Sequence, residues 1–163
     1  MVPVKNIFFP ITLLFVFTTL MAQPPKKGTV KESTQQKFKP PIVKTSLGDH
    51  SDSVVLINVE EGLQLVKLPL IITDDKKNNY GISSYQFLYR KVGVTEDEET
   101  GKVSPISSMI SDFFRSTPLP DIWVTNISQQ LRAGEELYFF DVIAKDAQGH
   151  LFFAPTLKIK IKK

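Results

Sequence analysis

The clearest indication of the fold in the sequence is the run ELYFFDVIAK, at positions 136–145. It is apolar on both faces and rich in aromatic and β-branched residues, which is typical of a strand in the interior of a sheet. The loop that follows, at positions 146–150, contains Gly149, whose freedom to adopt a positive φ favours a short hairpin turn. Positions 156–162 then alternate between apolar and polar residues, as a half-buried strand does. The C-terminal end of the chain is therefore predicted to be an antiparallel β structure.

Three segments upstream also have the composition of strands. Positions 54–59 and 63–73 are apolar runs with several β-branched residues, and positions 82–92 alternate, with three aromatic residues on one face. Positions 94–104 contain four adjacent carboxylates. They lack the alternating oxygen ligands of a calcium loop, so this segment is predicted to be a solvated hairpin tip.

Two segments before the C-terminal strands have helical spacing. Apolar residues in 106–114 recur at i, i+3, i+4, i+7 and i+8, while prolines on both sides suit either state, so helix and strand both remain open there. A helix is predicted at about 120–133, where Asp121 is placed to accept the first free amides. An apolar stripe begins at Trp123 and repeats every four residues. Gly134 is placed to end this helix in a left-handed conformation.

The first 22 residues have the character of an export signal. Lys5 precedes an uncharged apolar span at positions 7–22, which is shorter than the about 20 residues that a membrane-spanning helix requires. Pro10 interrupts the start of that span. We therefore predict a cleavable signal peptide over residues 1–22 and a periplasmic or secreted location. The alternative is an N-terminal segment that stays anchored in the inner membrane.

Residues 23–50 are predicted to be a disordered Pro/Lys-rich linker. Their apolar residues are few and follow no period, so they cannot form a packed core. Six lysines against Glu32 and Asp49 give this segment a charge of +4, and residues 1–22 carry +1. The chain's net charge of +3 therefore leaves −2 for residues 51–163. Because a nucleic-acid-binding domain carries its positive charge on the folded surface, no nucleic-acid partner is predicted.

The residues that most enzymes require are scarce. The chain has no cysteine, which excludes a disulfide framework, a thiolate zinc site and a cysteine nucleophile. His50 in the linker and His150 at the hairpin tip have no evident orienting partner of the kind a serine triad needs. The carboxylate pairs at 74–75 and 135–136 are adjacent, so they point apart in a strand or are solvated at a turn. We predict no enzymatic activity and no catalytic, metal-binding or cofactor-binding residue.

Four residues are candidates for contact with a partner. Trp123 is the only tryptophan, and it either packs the helix onto the sheet or stands exposed as an anchor. Lys158, Lys160 and Lys162 form a row on the terminal strand. Such a row either protects a sheet edge from aggregation or binds a partner.

The segment Leu131–Gly149 and the strand after it resemble the C-terminal domain of the GldM family. That domain ends with a basic helix, a glycine turn, an apolar strand, a hairpin and a final strand. The resemblance covers the C-terminal half of the chain, and the family's P-D-G hairpin reads Ala147-Gln148-Gly149 here. The matching residues are Gly134, Tyr138, Phe139, Asp141, Ile143, Ala144 and Gly149, with 157–161 as the closing strand.

This resemblance implies an immunoglobulin-like domain in the Bacteroidota periplasm that has no catalytic residues. The GldM family takes part in gliding motility and type IX secretion, although this chain has one such domain and lacks the family's long helical region. For residues 51–163 we thus expect a mainly β fold, an immunoglobulin-like antiparallel β-sandwich with one short helix. We expect an exported, non-enzymatic protein-interaction module of the bacterial envelope. Its partner is an unidentified envelope protein, and no stable membrane span remains after signal cleavage.

The alternative function is a β-sandwich that binds a carbohydrate or another surface ligand. Tyr80, Tyr85, Tyr89 and Trp123 would then supply aromatic platforms on which the ligand stacks.

Overall fold

The computed structural model of the chain describes residues 38–163, and within that range it contains eight strands and two helices. The predicted signal peptide and most of the predicted linker lie outside the described residues. The elements in chain order are β1 (Val43–Leu47), β2 (Val54–Ile57), α1 (Val59–Leu65), β3 (Leu70–Asp74), β4 (Asn79–Glu96), β5 (Val103–Phe114), α2 (Asp121–Gln130), β6 (Glu136–Lys145), β7 (Leu151–Phe153) and β8 (Leu157–Ile161).

The strands form one curled, mixed sheet with the order β1-β3-β4-β6-β8-β2. In addition, β5 pairs with β4 and β7 pairs with β6. The pairing is antiparallel except between β2 and β8, which run parallel, with Val55 opposite Ile159. The predicted mainly β class is confirmed, and β6 has the bounds expected of it. The prediction of a purely antiparallel arrangement is wrong, because β2 returns to the far side of β8.

Strands β4 and β6 are irregular at the same place in the sheet. The register of β4 against β6 shifts between Ile82 and Gln86, and Asp141 in β6 has a φ of 47°. A bulge of this kind increases local twist and redirects a strand. The Gln86 side chain donates a hydrogen bond to the Asp141 carboxylate at 2.8 Å, which ties the two irregularities together.

One face of the sheet, here called the core face, carries the hydrophobic core. Phe87 from β4 and Phe139 from β6 are both buried there, 4.9 Å apart between ring centroids. Helix α2 packs on this face by Trp123 and the fully buried Ile127. Helix α1 approaches β8 so closely that a Cβ at Gly62 would lie 2.9 Å from the side chain of Ile161. Both helices therefore cover the same face.

Helix α1 was not expected. The sequence predicts one strand over 63–73, whereas the chain is helical to Leu65 and β3 begins only at Leu70. The side chain of Asn58 accepts a hydrogen bond from the amide of Glu61 at 2.8 Å and caps the helix. A capping asparagine followed by two glutamates in the first turn is a helix signal that the apolar composition outweighed.

The predicted linker also ends too late. Strand β1, Val43–Leu47, lies inside the segment 23–50, and it pairs with β3 along its whole length. Val43, Thr45 and Leu47 are buried and the residues between them are not. This alternation covers only five residues and follows a Pro/Lys-rich stretch. The composition of the whole segment therefore indicated a linker.

Positions 106–114 form a strand, since β5 runs from Val103 to Phe114. Only Phe114 at its end is buried, so the helical stripe read from the sequence is a coincidence of spacing. The turn between β4 and β5 is an exposed hairpin tip, but it is confined to 97–102, because the ends of the predicted loop 94–104 belong to the two strands. The side chain of Asp97 closes the turn by accepting hydrogen bonds from Thr100.

Helix α2 is confirmed but is shorter at both ends than predicted. Asp121 is its first helical residue and the N-cap is Pro120, which makes no side-chain capping bond. The helix ends at Gln130. Gly134 has the expected positive φ, 88°, but it serves the following loop, where its amide donates to the carbonyl of Ile161 at 2.8 Å. Gly149 has a φ of 90° in the β6–β7 hairpin, as predicted.

Within residues 38–163, neither helix has the length and apolar character needed to cross a bilayer.

Candidate interaction surface

On the face of the sheet opposite the helices, no side chain in the rows described below is fully buried, so no other element in residues 38–163 packs over these rows. Antiparallel pairs place directly opposed residues on the same face, so the register defines its composition. One row runs Ser111, Leu88, Tyr138, Lys158, and the next runs Met109, Arg90, Glu136, Lys160. We call this surface the outer face. Its members are Val54, Leu56, Gln86, Leu88, Arg90, Met109, Ser111, Phe113, Glu136, Tyr138, Phe140, Lys158 and Lys160.

Apolar side chains on the outer face are large and accessible. Met109 is 65% exposed and Phe113 51% exposed, and Tyr138 and Phe140 are half-buried. The rings of Tyr138 and Phe140 stack at 5.0 Å with an interplanar angle of 14°. Contiguous apolar surface of this kind is uncommon on a free-standing domain and marks contact sites.

Charges on the outer face are organised around one carboxylate. Glu136 lies 3.1 Å from the guanidinium of Arg90 and 3.8 Å from the ammonium of Lys160. The hydrogen bond from Arg90, aided by the positive charges of Arg90, Lys158 and Lys160, holds the pKa of Glu136 below its ordinary value. The ammonium of Lys158 lies 4.6 Å from the ring centroid of Tyr138, a cation–π distance. Three cations thus face one carboxylate, and the surface has a net positive charge.

The structure divides the four predicted contact residues between two sides of the sheet. Lys158 and Lys160 lie on the outer face, and Lys162 is exposed just beyond the end of β8. Trp123 lies on the core-face side, half-buried, and its ring packs edge-on against Phe87 at 5.4 Å. The tryptophan and the lysines therefore do not form one site.

The lysine row does not protect a sheet edge. Strand β8 lies between β6 and β2, so β2 forms the edge on that side of the sheet. The expectation that the terminal strand is an edge is wrong, because the parallel strand β2 comes from a distant part of the sequence.

A cavity of about 190 Å³ lies beside α2, lined by residues that include Tyr89, Lys91 and Trp123. It is smaller than the ~300–1,000 Å³ typical of ligand sites. Two of its polar groups are also engaged with each other, since the Lys91 ammonium contacts the side-chain amide oxygen of Gln130. The shape and chemistry of this cavity suit helix packing better than ligand binding.

A buried carboxylate lies next to this cavity. Glu135 is only 1% exposed and accepts hydrogen bonds from the hydroxyl of Tyr89, the amide of Arg132 at 3.0 Å and the amide of Val92 at 3.3 Å. Burial, together with the contact to Glu135, raises the pKa of Tyr89. Glu135 and Glu136 point apart, which is one of the two arrangements expected of this pair, but Glu135 is buried and not solvated. All its bonds serve the fold, so it ties the loop after α2 to β4.

Both histidines have a carboxylate partner, which the sequence did not indicate. Nε2 of His50 lies 2.8 Å from Oε1 of Glu61, and Nδ1 of His150 lies 2.8 Å from Oδ2 of Asp146. The ring of His150 also stacks on Phe38 at 4.5 Å. Across residues 38–163 no three histidine or carboxylate side chains converge as metal ligands.

The aromatic residues offered for carbohydrate stacking are mostly enclosed. Tyr85 and Tyr89 are buried in the core, and burial raises the pKa of Tyr85 to about 12. Tyr80 packs edge-on against Phe152 and donates to the carboxylate of Asp74 at 3.0 Å. These three rings hold the core and its border together and do not present free faces.

Comparison with protein-family models and with curated proteins finds no match to this chain.

Proposed function

We propose that the protein is an exported, non-enzymatic protein-interaction module of the bacterial envelope and that it binds an acidic protein partner through the outer face. The observation that carries this proposal is the combination of exposed apolar side chains with a net positive charge on a sheet face that has no covering element in residues 38–163. The apolar groups supply contact area, and the lysines select a partner by charge.

The location rests on the sequence. The apolar span at positions 7–22 supports export, and the resemblance of residues 131–149 to the GldM family supports a place in the Bacteroidota envelope. An association with the gliding or type IX secretion machinery, and an immunoglobulin-like sandwich as the finer description of the fold, belong to the same proposal. The irregularities shared by β4 and β6 support the sandwich, because bulges redirect strands and would let the sheet fold into two packed halves.

Site-specific photo-crosslinking in cells tests the proposal. A benzophenone amino acid replaces Phe140 on the outer face in one variant and Ile122 in the other, which is exposed on α2 at the opposite side of the sheet. We expect the probe at Phe140 to crosslink acidic segments of one envelope protein, and the probe at Ile122 to leave that protein unlabelled. Equal labelling from both positions, or none from Phe140, would contradict the proposal.

Charge reversal provides the matched control. Lys158→Glu combined with Lys160→Glu changes the outer face, whereas Lys39→Glu combined with Lys67→Glu makes the same change in net charge at exposed positions elsewhere. We expect only the first pair to remove the crosslink from Phe140. Equal losses in both pairs would mean that net charge alone drives the association.

A further inference from the structure

Strand β5 offers a long, accessible sheet edge. It has 12 residues and pairs on one side with β4, and no other described strand pairs with it. Ile106, Met109 and Ile110 on this strand are each about half exposed or more. Edges of this length normally carry features that prevent unwanted pairing or else serve as pairing sites.

The register shows which backbone groups of β5 point outward. The amide of Asp97 donates to the carbonyl of Lys102 at 3.0 Å, so this opposed pair is hydrogen-bonded. Bonded and non-bonded pairs alternate along an antiparallel ladder, and the β4–β5 register is unbroken. The odd-numbered residues of β5 therefore direct their N–H and C=O groups away from β4.

Two devices limit the part of this edge that can pair. Pro105 has no N–H to offer. The amide of Phe113 already donates to the side chain of Asp112 at 2.7 Å, which removes it from pairing. Between Val103 and Ser111 the edge keeps its other outward amides and all its outward carbonyls.

The charges at the two ends of this window are complementary in one register. Lys102 immediately precedes β5, and Asp112 lies near its end. An antiparallel pair of two β5 strands centred on Ser107 places Lys102 of each copy opposite Asp112 of the other. A shift by two residues in either direction separates both pairs, so charge favours this single register.

The same register covers the exposed apolar residues. Met109 lies opposite Pro105 of the second copy, and its amide can still donate to the Pro105 carbonyl. Ile106 lies diagonal to Ile106 of the second copy on the core-face side, within reach of contact. Because the centre of symmetry falls on a residue, the two core faces point the same way and the sheet continues from one copy to the other.

We propose that two copies of this chain associate through their β5 edges, antiparallel and centred on Ser107. This goes beyond the proposed function, because edge pairing leaves both outer faces open. The dimer presents the two outer faces side by side, so it doubles the surface offered to a partner.

A single engineered cysteine tests the register in the full chain. Ser107→Cys gives a protein with one cysteine, and opposed residues of a bonded antiparallel pair have Cα atoms about 5.5 Å apart, which suits a disulfide. We expect most of the purified protein to become a disulfide-linked dimer in oxidised glutathione. In the same register Ser111→Cys leaves its two thiols about 27 Å apart, so we expect it to stay largely monomeric. Equal crosslinking by both variants, or none by Ser107→Cys, would overturn the proposal.

Charge variants supply a second readout by sedimentation. We expect Asp112→Lys to weaken the dimer at least tenfold, since it sets like charges opposite each other. Lys102→Asp added to Asp112→Lys restores the pair and should restore the dimer. A dimer unaffected by Asp112→Lys, or a double variant no better than the single one, would contradict this register. If no dimer forms but the probe at Phe140 still crosslinks a partner, the dimer proposal alone is wrong. If the dimer forms but that crosslink is absent, the proposed function is wrong.

Discussion

The core face and the outer face are built from the same strands but differ in what covers them. Phe139 and Phe140 are neighbours in β6, yet Phe139 is 2% exposed and Phe140 is half-buried. In β8 the fully buried Ile159 alternates with the lysines of the outer face. Both faces are aromatic, so aromatic content alone does not separate them. Within the regular stretches of these strands the structural role and the contact role therefore alternate from one residue to the next, and the irregularity at Asp141 shifts this alternation in β6 by one residue.

The largest expected effect is a contrast in stability between Phe139→Ala and Phe140→Ala. Removing Phe139 leaves a cavity between β4 and the helices, and we expect a loss of about 3–5 kcal/mol in the free energy of unfolding. Phe140→Ala should cost about 1 kcal/mol or less, because no described element packs over it. Urea denaturation measures both. Similar losses for the two variants would mean that the outer face is also part of a packed interior.

A second contrast concerns the adjacent carboxylates Glu135 and Glu136. Glu135→Ala leaves the hydroxyl of Tyr89 and two backbone amides without their acceptor, and we expect it to cost about 3 kcal/mol. Glu136→Ala removes only partly exposed ion pairs and should cost about 1 kcal/mol or less. Thermal and urea unfolding of both variants checks this. A stable Glu135→Ala protein would show that the bonds of Glu135 do not hold the loop after α2.

The buried tyrosines of the core face should make the free energy of unfolding depend on pH in the alkaline range. Burial raises the pKa of Tyr85 from its ordinary value of 10.0 to about 12, and it raises the pKa of Tyr89 as well. The folded chain therefore keeps protons that the unfolded chain releases. This contribution to stability is complete below about pH 10 and is lost as the pH rises from 10 towards 12. We expect urea titrations to show this fall and Tyr85→Phe to flatten it; an unchanged slope in Tyr85→Phe would assign the fall to other groups.

The smallest effect on stability is expected at Lys158. Its ammonium lies over the ring of Tyr138, and we expect Lys158→Ala to cost about 0.5–1 kcal/mol. The same variant should weaken the crosslink from Phe140 to the proposed protein partner. A variant that changes stability as expected but leaves the crosslink intact would confine Lys158 to a local packing role.

The local sequence pattern was sufficient to predict features that depend on a single strand. The interior position of β6 follows from a run that is apolar on both faces, and the opposite faces of Ile159 and Lys160 follow from alternation. Helix α1 was missed because its apolar residues resemble those of a strand, although Asn58 marks its start.

Features that depend on contacts between residues distant in the sequence could not be predicted from local pattern. The burial of Glu135 requires the hydroxyl of Tyr89, which is 46 residues away in the sequence. The place of β8 inside the sheet requires the parallel strand β2, and no local pattern specifies such a pairing. For the same reason the sequence did not reveal that Trp123 and Lys158 lie on opposite sides of the sheet.

We propose that in cells a protein partner covers the outer face of the sheet and leaves the other side uncovered. Hydroxyl-radical footprinting of the protein in intact cells, compared with the purified protein, measures this directly. We predict that oxidation of Tyr138 and Phe140, which lie away from the β5 edge, falls severalfold in cells, while oxidation of Trp123 and Ile122 stays the same. Equal oxidation of Tyr138 and Phe140 in both samples would contradict the proposal.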